Sequence, residues 1–182
     1  MKTESTVKYV LRLALTLLLI TAVVAVALAA VNSVTAPKIA QLNAQKTQEA
    51  IEAVLPGGGE EVAFTDDTGL VATVYQGNAG YAVKVTPTGF NGTVEMMVGI
   101  DPSGNVLGIS VISQSETAGL GAVSAASTSA GEAFRGQFAG MSGSVSVTKD
   151  GGAVDAITGA TITSRAVCAG VNAALSCVAN MG

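Results

Sequence analysis

Four residues near the C-terminal end of the chain, Thr158-Gly159-Ala160-Thr161, combine two hydroxyl side chains with a tight Gly-Ala turn. The segment that follows, from Thr163 to Val178, has apolar residues on one stripe and is predicted to be a helix. The first turn of a helix has backbone N–H groups without intrahelical partners and carries the positive end of the helix dipole, which suits a phosphate group. The junction is therefore a candidate anion site.

The same hydroxyl groups also fit a purely structural role. Thr163 or Ser164 is expected to cap the helix, since Ser and Thr are favoured N-cap residues. Thr158 and Thr161 would then be ordinary turn residues. Spacing alone leaves both interpretations open, and capping is the commoner use of hydroxyl side chains at such a position.

The segment from Asp155 to Thr161 resembles the flavinylation motif of the FMN-binding domain family, in which Ser/Thr-Gly-Ala-Thr follows an acidic residue. In that family a flavin transferase moves FMN from FAD onto the last threonine of the motif. The resemblance implies that FMN is joined to Thr161 through a phosphoester bond. It also implies that Thr158, Gly159 and Ala160 shape the cofactor-binding turn, and that the transferase recognises Asp155.

A second block, Ser115 to Gly121 (SETAGLG), is similar to the Glu-Thr-Pro-Gly-Leu-Gly signature of the same family. Ala118 stands where the family has proline, a change expected to loosen the loop. The resemblance implies that Glu116 and Thr117 make polar contacts to the flavin and that Leu120 makes an apolar one.

Further likenesses at residues 98–101 (VGID) and 134–138 (FRGQF) extend the resemblance over nearly the whole chain and point to the G-subunit family of Rnf electron-transport complexes. The related C subunit of the sodium-pumping NADH:quinone reductase is an alternative, although its soluble domain is larger. The resemblance implies an electron relay through FMN in an ion-translocating ferredoxin:NAD⁺ oxidoreductase. The other Rnf subunits are the implied partners, and the isolated chain is expected to have little catalytic activity.

Composition excludes several other classes of function. The 182-residue chain has no histidine, which removes Ser-His-Asp and Cys-His nucleophiles and the usual His-containing zinc sites, and no metal site is predicted. A net charge of −4 without any Lys/Arg cluster argues against nucleic-acid binding. Cys168 and Cys177 would point to opposite sides of the predicted helix, so a disulfide is excluded and a packing role is expected.

An uncharged apolar run from Leu13 to Val31 is long enough to cross a bilayer as a helix, and residues 13–33 are predicted to be a transmembrane span. A cleaved signal peptide is the alternative, because small residues occupy positions 27–30. The run is longer than the apolar core of a usual signal peptide, which favours an uncleaved anchor.

The basic residues around the run predict its orientation. Lys2, Lys8 and Arg12 precede it, whereas only Lys38 follows closely. The positive-inside rule then places residues 1–12 in the cytoplasm and the rest of the chain on the extracytoplasmic side of the cell membrane.

The remaining sequence predicts an α+β fold with a mainly antiparallel sheet. Residues 34–56 are expected to form a juxtamembrane helix, and residues 57–182 the FMN-binding domain. Short strands are predicted on both sides of Gly77-Asn78, and the turn sequence at 101–104 (DPSG) predicts a hairpin between residues 94–100 and 106–112. Residues 116–131 are expected to be loop and short helix, and residues 144–148 a last strand.

Two functions of other classes stay open from sequence alone. The first is a non-redox envelope protein that acts as a scaffold, with the threonine turn serving only the helix. The second is a lone FMN-dependent reductase, which the sequence favours least because it contains no set of acid and base residues for such an enzyme.

Overall fold

The structure, a computed structural model, describes the backbone of residues 2–181 and the side chains of residues 6–181. The described residues form three α-helices and five β-strands, joined in part by two short 3₁₀ turns, Gly121–Ala125 and Thr148–Asp150. In chain order the helices and strands are α1 (Lys2–Val54), β1 (Glu60–Val62), β2 (Val71–Gly77), β3 (Gly80–Val85), β4 (Glu95–Ile100), β5 (Val106–Ser113), α2 (Ser129–Gly136) and α3 (Thr161–Ala179). The predicted α+β class is confirmed.

Helix α1 continues through both of the segments that the sequence predicts as separate helices. Pro37 lies inside it without ending it. The chain divides into two compact units after Gln45. Every described side chain from residue 6 to residue 45 is exposed, and the helix from Thr6 has a stretch with a mean hydropathy of 2.8. A long apolar helix with exposed side chains is what a bilayer span requires.

The second unit is built on a five-stranded antiparallel sheet in which each strand pairs with the next along the chain, in the order β1-β2-β3-β4-β5. The predicted strands on both sides of Gly77-Asn78 and the predicted hairpin at residues 101–104 are confirmed. Gly77 pairs with Gly80 at the end of the first hairpin. In the second turn the Asp101 carboxylate accepts hydrogen bonds from the N–H groups of Ser103 and Asn105, both at 2.8 Å. The Asn105 side chain also donates to this carboxylate, and these hydrogen bonds lower the pKa of Asp101.

Helix α3 packs on one face of the sheet and forms the main core. Its predicted apolar stripe is buried, as expected from periodicity, and it lies against buried side chains of β3 and β4. The buried residues of this cluster include Val83, Val85, Met96, Val98, Val167, Val171, Leu175 and Val178. The opposite face is covered by the last turns of α1, whose buried residues Ala50, Ile51 and Val54 cluster with Ala82 and Met97.

The prediction of a last strand at residues 144–148 is wrong. The backbone N–H and C=O of Val145 bond to the side-chain amide of Asn172, at 2.7 and 2.8 Å, instead of to a neighbouring strand. Val147 makes an isolated parallel bridge with Val154. The chain then turns at Thr148–Asp150, so the apolar alternation of this segment reflects two buried valines in a loop.

The two cysteines lie on α3, as predicted, and both are free and buried. Burial raises the pKa of the Cys168 thiol to about 11. It also raises the pKa of Cys177. Both thiols therefore act as small packing groups that stay protonated at neutral pH.

Candidate functional site

Helix α3 begins two residues earlier than predicted, so that Thr161 is its first residue. Ala160 is the N-cap residue and no side chain caps the helix. The Thr163 hydroxyl donates instead to the Glu116 carboxylate, and the Ser164 hydroxyl donates to the Ala160 carbonyl at 3.0 Å. The interpretation that Thr163 or Ser164 is the cap is therefore wrong. An uncapped helix start leaves backbone N–H groups for an anion.

The turn before α3 is held in place from both sides. Gly159 has a φ of +75°, a conformation that favours glycine. The Gln137 side chain accepts from the Asp155 N–H at 2.7 Å and donates to the Asp155 carbonyl at 3.2 Å. At the other side the Ser164 hydroxyl accepts from the Ile157 N–H at 3.0 Å. These hydrogen bonds therefore fix the backbone of the turn that leads to Thr161.

A pocket of about 370 Å³ opens beside Thr161. It brings together the two sequence blocks that resemble the FMN-binding domain family, although these blocks lie far apart along the chain. Its lining residues are Phe90, Glu116, Thr117, Leu120, Gly121, Lys149, Gly159, Ala160, Thr161, Ile162 and Thr163. Six of the predicted cofactor-binding residues therefore share one cavity.

Thr158 and Asp155 lie elsewhere. Both are exposed, and both line a neighbouring groove of about 570 Å³ together with Phe134 and Gln137. The predicted role of Thr158 in the cofactor-binding turn is not tested by this placement and stays a prediction. An exposed Asp155 is accessible to a protein that reads the motif, so its recognition by a transferase also stays a prediction.

The Glu116 side chain ties together three segments of the chain. It is 9% exposed, and its Oε1 accepts the Asn91 N–H at 2.9 Å while its Oε2 accepts the Thr163 hydroxyl. The neighbouring Thr117 hydroxyl accepts from the Asn91 side-chain amide at 3.1 Å. These contacts give Glu116 a positioning role, and its predicted contact with a flavin stays a prediction.

Three residues of the pocket escape sequence reasoning. The Lys149 Nζ lies 3.3 Å from the Thr161 Oγ1. Phe90 and Ile162 are exposed apolar side chains at the cavity. A lone lysine beside a segment predicted as a strand, and a lone phenylalanine in a loop, carry no motif, and only the folded chain brings them to Thr161.

The acidic neighbour of Lys149 is already paired. Arg165 donates two hydrogen bonds to the Asp150 carboxylate, at 2.7 and 2.6 Å. The Arg165 hydrogen bond also holds the pKa of Asp150 below its ordinary value. The Asp150 carboxylate is thus hydrogen-bonded to Arg165, while the Lys149 ammonium donates to the Thr161 hydroxyl.

The residues of the pocket fit an FMN group. A volume of about 370 Å³ lies within the usual range of small-ligand sites. Leu120, Ile162 and Phe90 offer apolar surface to a flat ring. Lys149 and the uncapped start of α3 offer positive charge to a phosphate. Among the residues with described side chains, no group of three or more His, Cys, Asp or Glu residues lies close enough to hold a metal ion.

Comparison with known proteins agrees with this geometry. The FMN-binding domain family matches residues 89–176. The chain is 36% identical to the G subunit of the Na⁺-translocating ferredoxin:NAD⁺ oxidoreductase complex of Acetobacterium woodii, over 96% of this chain and 94% of that protein. The chain belongs to this G-subunit family. The matched region begins in the loop that carries Phe90 and includes both pocket blocks, so the resemblance inferred from sequence is confirmed.

Two other proteins of this family extend the comparison to further organisms. The G subunit of the ion-translocating oxidoreductase complex of Methanosarcina acetivorans is 33% identical over 94% of this chain and 95% of its own length. The G subunit of the proton-translocating ferredoxin:NAD⁺ oxidoreductase complex of Clostridium ljungdahlii is 32% identical over 81% of this chain and 80% of its own length. The named ions differ between these relatives, so family membership does not fix the ion.

Proposed function

We propose that this chain is the flavoprotein component of an ion-translocating ferredoxin:NAD⁺ oxidoreductase complex, with FMN attached to Thr161 through a phosphoester bond. One observation carries the proposal: Thr161, the last residue of the motif, begins an uncapped helix and lines the same pocket as Glu116 and Leu120. FMN bound there supplies one-electron and two-electron redox chemistry. The other subunits of the complex are the electron donor and acceptor.

The attachment requires a flavin transferase that uses FAD. The Thr161 Oγ forms a bond to the phosphorus of the FMN half, the pyrophosphate bridge breaks, AMP leaves, and the hydroxyl proton is released. Lys149, whose Nζ lies 3.3 Å from the Thr161 Oγ1, places a positive charge beside the bond that forms. The exposed Asp155 is the residue that the transferase recognises.

After attachment the residues of the chain have three separate tasks. Thr161 anchors the cofactor and takes no part in electron transfer. Lys149 and the first turn of α3 stabilise the negative charge of the phosphate. Leu120 and Ile162 exclude water from one side of the ring, while Glu116 holds the pocket walls together.

The chain is anchored by α1, with residues 1–12 in the cytoplasm, the span at residues 13–33 of this continuous helix, and the rest of α1 up to Val54 together with the FMN-binding domain outside. A covalent bond is useful there, because the cytoplasmic supply of FMN does not reach an extracytoplasmic domain. Labelling of intact cells with a membrane-impermeant maleimide tests this topology. Ser113→Cys should react and Lys8→Cys should not, and the reverse pattern would overturn it.

The attachment site is tested by co-expression of the full chain with a flavin transferase. Thr161→Val should abolish in-gel flavin fluorescence, whereas Thr161→Ser should keep it, because only the hydroxyl is needed. Thr148→Val is the matched control, since this exposed threonine lies next to Lys149 but outside the pocket lining. Fluorescence that persists in Thr161→Val would contradict the proposal, and an unmodified native peptide would favour the scaffold function.

A further inference from the structure

We propose that Phe90 forms the outer wall of the flavin pocket and packs against the flavin ring held at Thr161, a role that neither sequence block indicates. The inference rests on the proposed function and adds a residue that sets the access of water to the ring. It makes the loop at residues 87–94 part of the binding site.

Exposure supplies the first argument. Among the described side chains from residue 46 to residue 181, the large hydrophobic residues that are exposed are Phe90 at 66%, Ile162 at 51%, Leu120 at 41% and Leu107 at 41%. The first three line the pocket beside Thr161. A cluster of exposed apolar side chains at one cavity marks a ligand or partner surface, while single exposed residues are normal.

The structure of the loop supplies the second argument. Thr88 and Thr93 form a bridge, and the Gly89 N–H donates to the Gly92 carbonyl at 2.7 Å. A Cβ atom at Gly89 would lie 2.5 Å from the Glu116 Oε1, so a larger residue here would displace the Glu116 carboxylate. The loop is therefore folded tightly against the residues that form the pocket.

The residue next to Phe90 fixes the loop to the pocket itself. The Asn91 N–H donates to Glu116 and the Asn91 side chain donates to Thr117, at 2.9 and 3.1 Å. The backbone that carries Phe90 is therefore held against the pocket before any ligand binds. Such preorganisation lowers the entropy that is lost when the ring covers a ligand.

A surface for another protein is the competing explanation for an exposed phenylalanine. The flavin is favoured because Phe90, Leu120 and Ile162 all border the cavity that the Thr161 side chain also lines. Flat aromatic surfaces pack well against one another, and aromatic pairs add to the stabilisation by burial. A protein partner would contact Phe90 only when the complex assembles, which makes the two explanations separable in the purified chain.

The experiment uses the full chain, matured by the transferase and purified in detergent. The mass of the peptide first shows whether Thr161 carries FMN in each variant. Absence of FMN from the native chain would overturn the proposed function itself. Iodide quenching and anisotropy of the flavin fluorescence then report how well the ring is covered. Phe90→Ala is compared with Phe90→Leu, which restores apolar bulk, and with Leu107→Ala, the exposed residue outside the pocket.

We expect the quenching constant of Phe90→Ala to rise by roughly two- to tenfold. Loss of one aromatic contact shifts the equilibrium between a covered and an uncovered flavin ring by about this factor. The anisotropy of Phe90→Ala should fall, Phe90→Leu should lie between, and Leu107→Ala should match the native chain. Normal FMN attachment with unchanged quenching in Phe90→Ala would overturn the inference and assign Phe90 to a protein surface.

A second measurement separates covering of the flavin from a structural role of the loop. In the Thr161→Val background, which carries no flavin, Phe90→Ala should leave the thermal unfolding midpoint unchanged. In the flavin-bearing chain the same substitution should lower it. An equal decrease in both backgrounds would show that Phe90 serves only the fold and would contradict the inference.

Discussion

Helices α1 and α3 are both long and apolar enough to cross a membrane, yet they have opposite surroundings. The most apolar stretch of α1 has a mean hydropathy of 2.8 and is wholly exposed, while that of α3 has a mean hydropathy of 1.3 and lies mostly buried. By length and composition alone, both helices qualify as candidate membrane spans. Burial against a sheet identifies α3 as a core helix and leaves α1 as the candidate membrane span.

The residue types explain the difference. The apolar run of α1 is rich in leucine and valine around its whole circumference, as a lipid-facing helix requires. Helix α3 has small residues such as Ala173 and Ala174 in its buried part, and polar residues such as Asn172 that bond to a loop. Its first turn, with Thr161 and Ile162, is less buried and lines the pocket.

A carboxylate introduced into the buried face of α3 should cause the largest loss of stability among the substitutions considered. Val171 is 0% exposed, so Val171→Asp places an unpaired charge in the core and should cost about 4 kcal/mol or more, enough to prevent folding of the domain. Urea unfolding of the detergent-solubilised chain measures the change, with Val171→Ala as the milder control at about 2 kcal/mol. A folded Val171→Asp domain would contradict the assignment of α3 to the core.

A charge in α1 should act on membrane insertion and leave the domain unchanged. Val23→Arg places an arginine near the middle of the span and should cost about 3 kcal/mol of insertion free energy. Carbonate extraction of membranes should show less inserted chain, while the urea midpoint of the purified chain stays the same, because residue 23 lies outside the compact unit that begins at Lys46. Leu42→Arg, beyond the predicted span, is the control that should insert normally.

Replacement of Glu116, which accepts a hydrogen bond from the first turn of α3, should lower the stability of the domain by an intermediate amount. Glu116→Ala leaves the Thr163 hydroxyl and the Asn91 N–H without their acceptor and should lower the free energy of unfolding by about 2 kcal/mol. Glu116→Gln keeps one oxygen acceptor and should cost less. Thermal unfolding in the Thr161→Val background measures this without any flavin. Equal stability of all three chains would show that Glu116 serves the cofactor alone.

The smallest expected effect concerns the pH dependence of the α3 core. Because burial raises the pKa of Cys168 to about 11 from an ordinary value of 9.0, the thiolate forms more easily in the unfolded chain. The stabilisation is complete below pH 9 and is lost as the pH rises toward about 11. Urea midpoints of Cys168→Ala should therefore fall less steeply over this range, and parallel curves would show that Cys168 is exposed to water.

The sequence predicts the elements whose signal is local. The turn residues Asp101 to Gly104 specify the β4–β5 hairpin, and the apolar stripe from Val167 to Val178 specifies the buried face of α3. Motif resemblance identifies the two blocks that share a pocket. In each case the residues that determine the structure lie within a few positions of one another.

What the sequence misses depends on contacts between distant residues. Val145 and Val147 alternate like a strand, but Asn172 takes the backbone bonds of Val145. Helix α3 starts at Thr161, and Thr163 bonds to Glu116 instead of capping the helix. Lys149 and Phe90 become pocket residues only when their loops fold against the start of α3. No pattern among neighbouring residues in the sequence predicts these contacts.

The most direct test of the central claim is the mass of the native chain, purified from membranes of cells that contain the transferase and digested to the peptide that holds Thr161. The account predicts a peptide heavier by one FMN less one water, with the added mass located on Thr161 by fragmentation. A peptide that has the mass of its amino acids alone, or FMN located on another hydroxyl, would contradict the account.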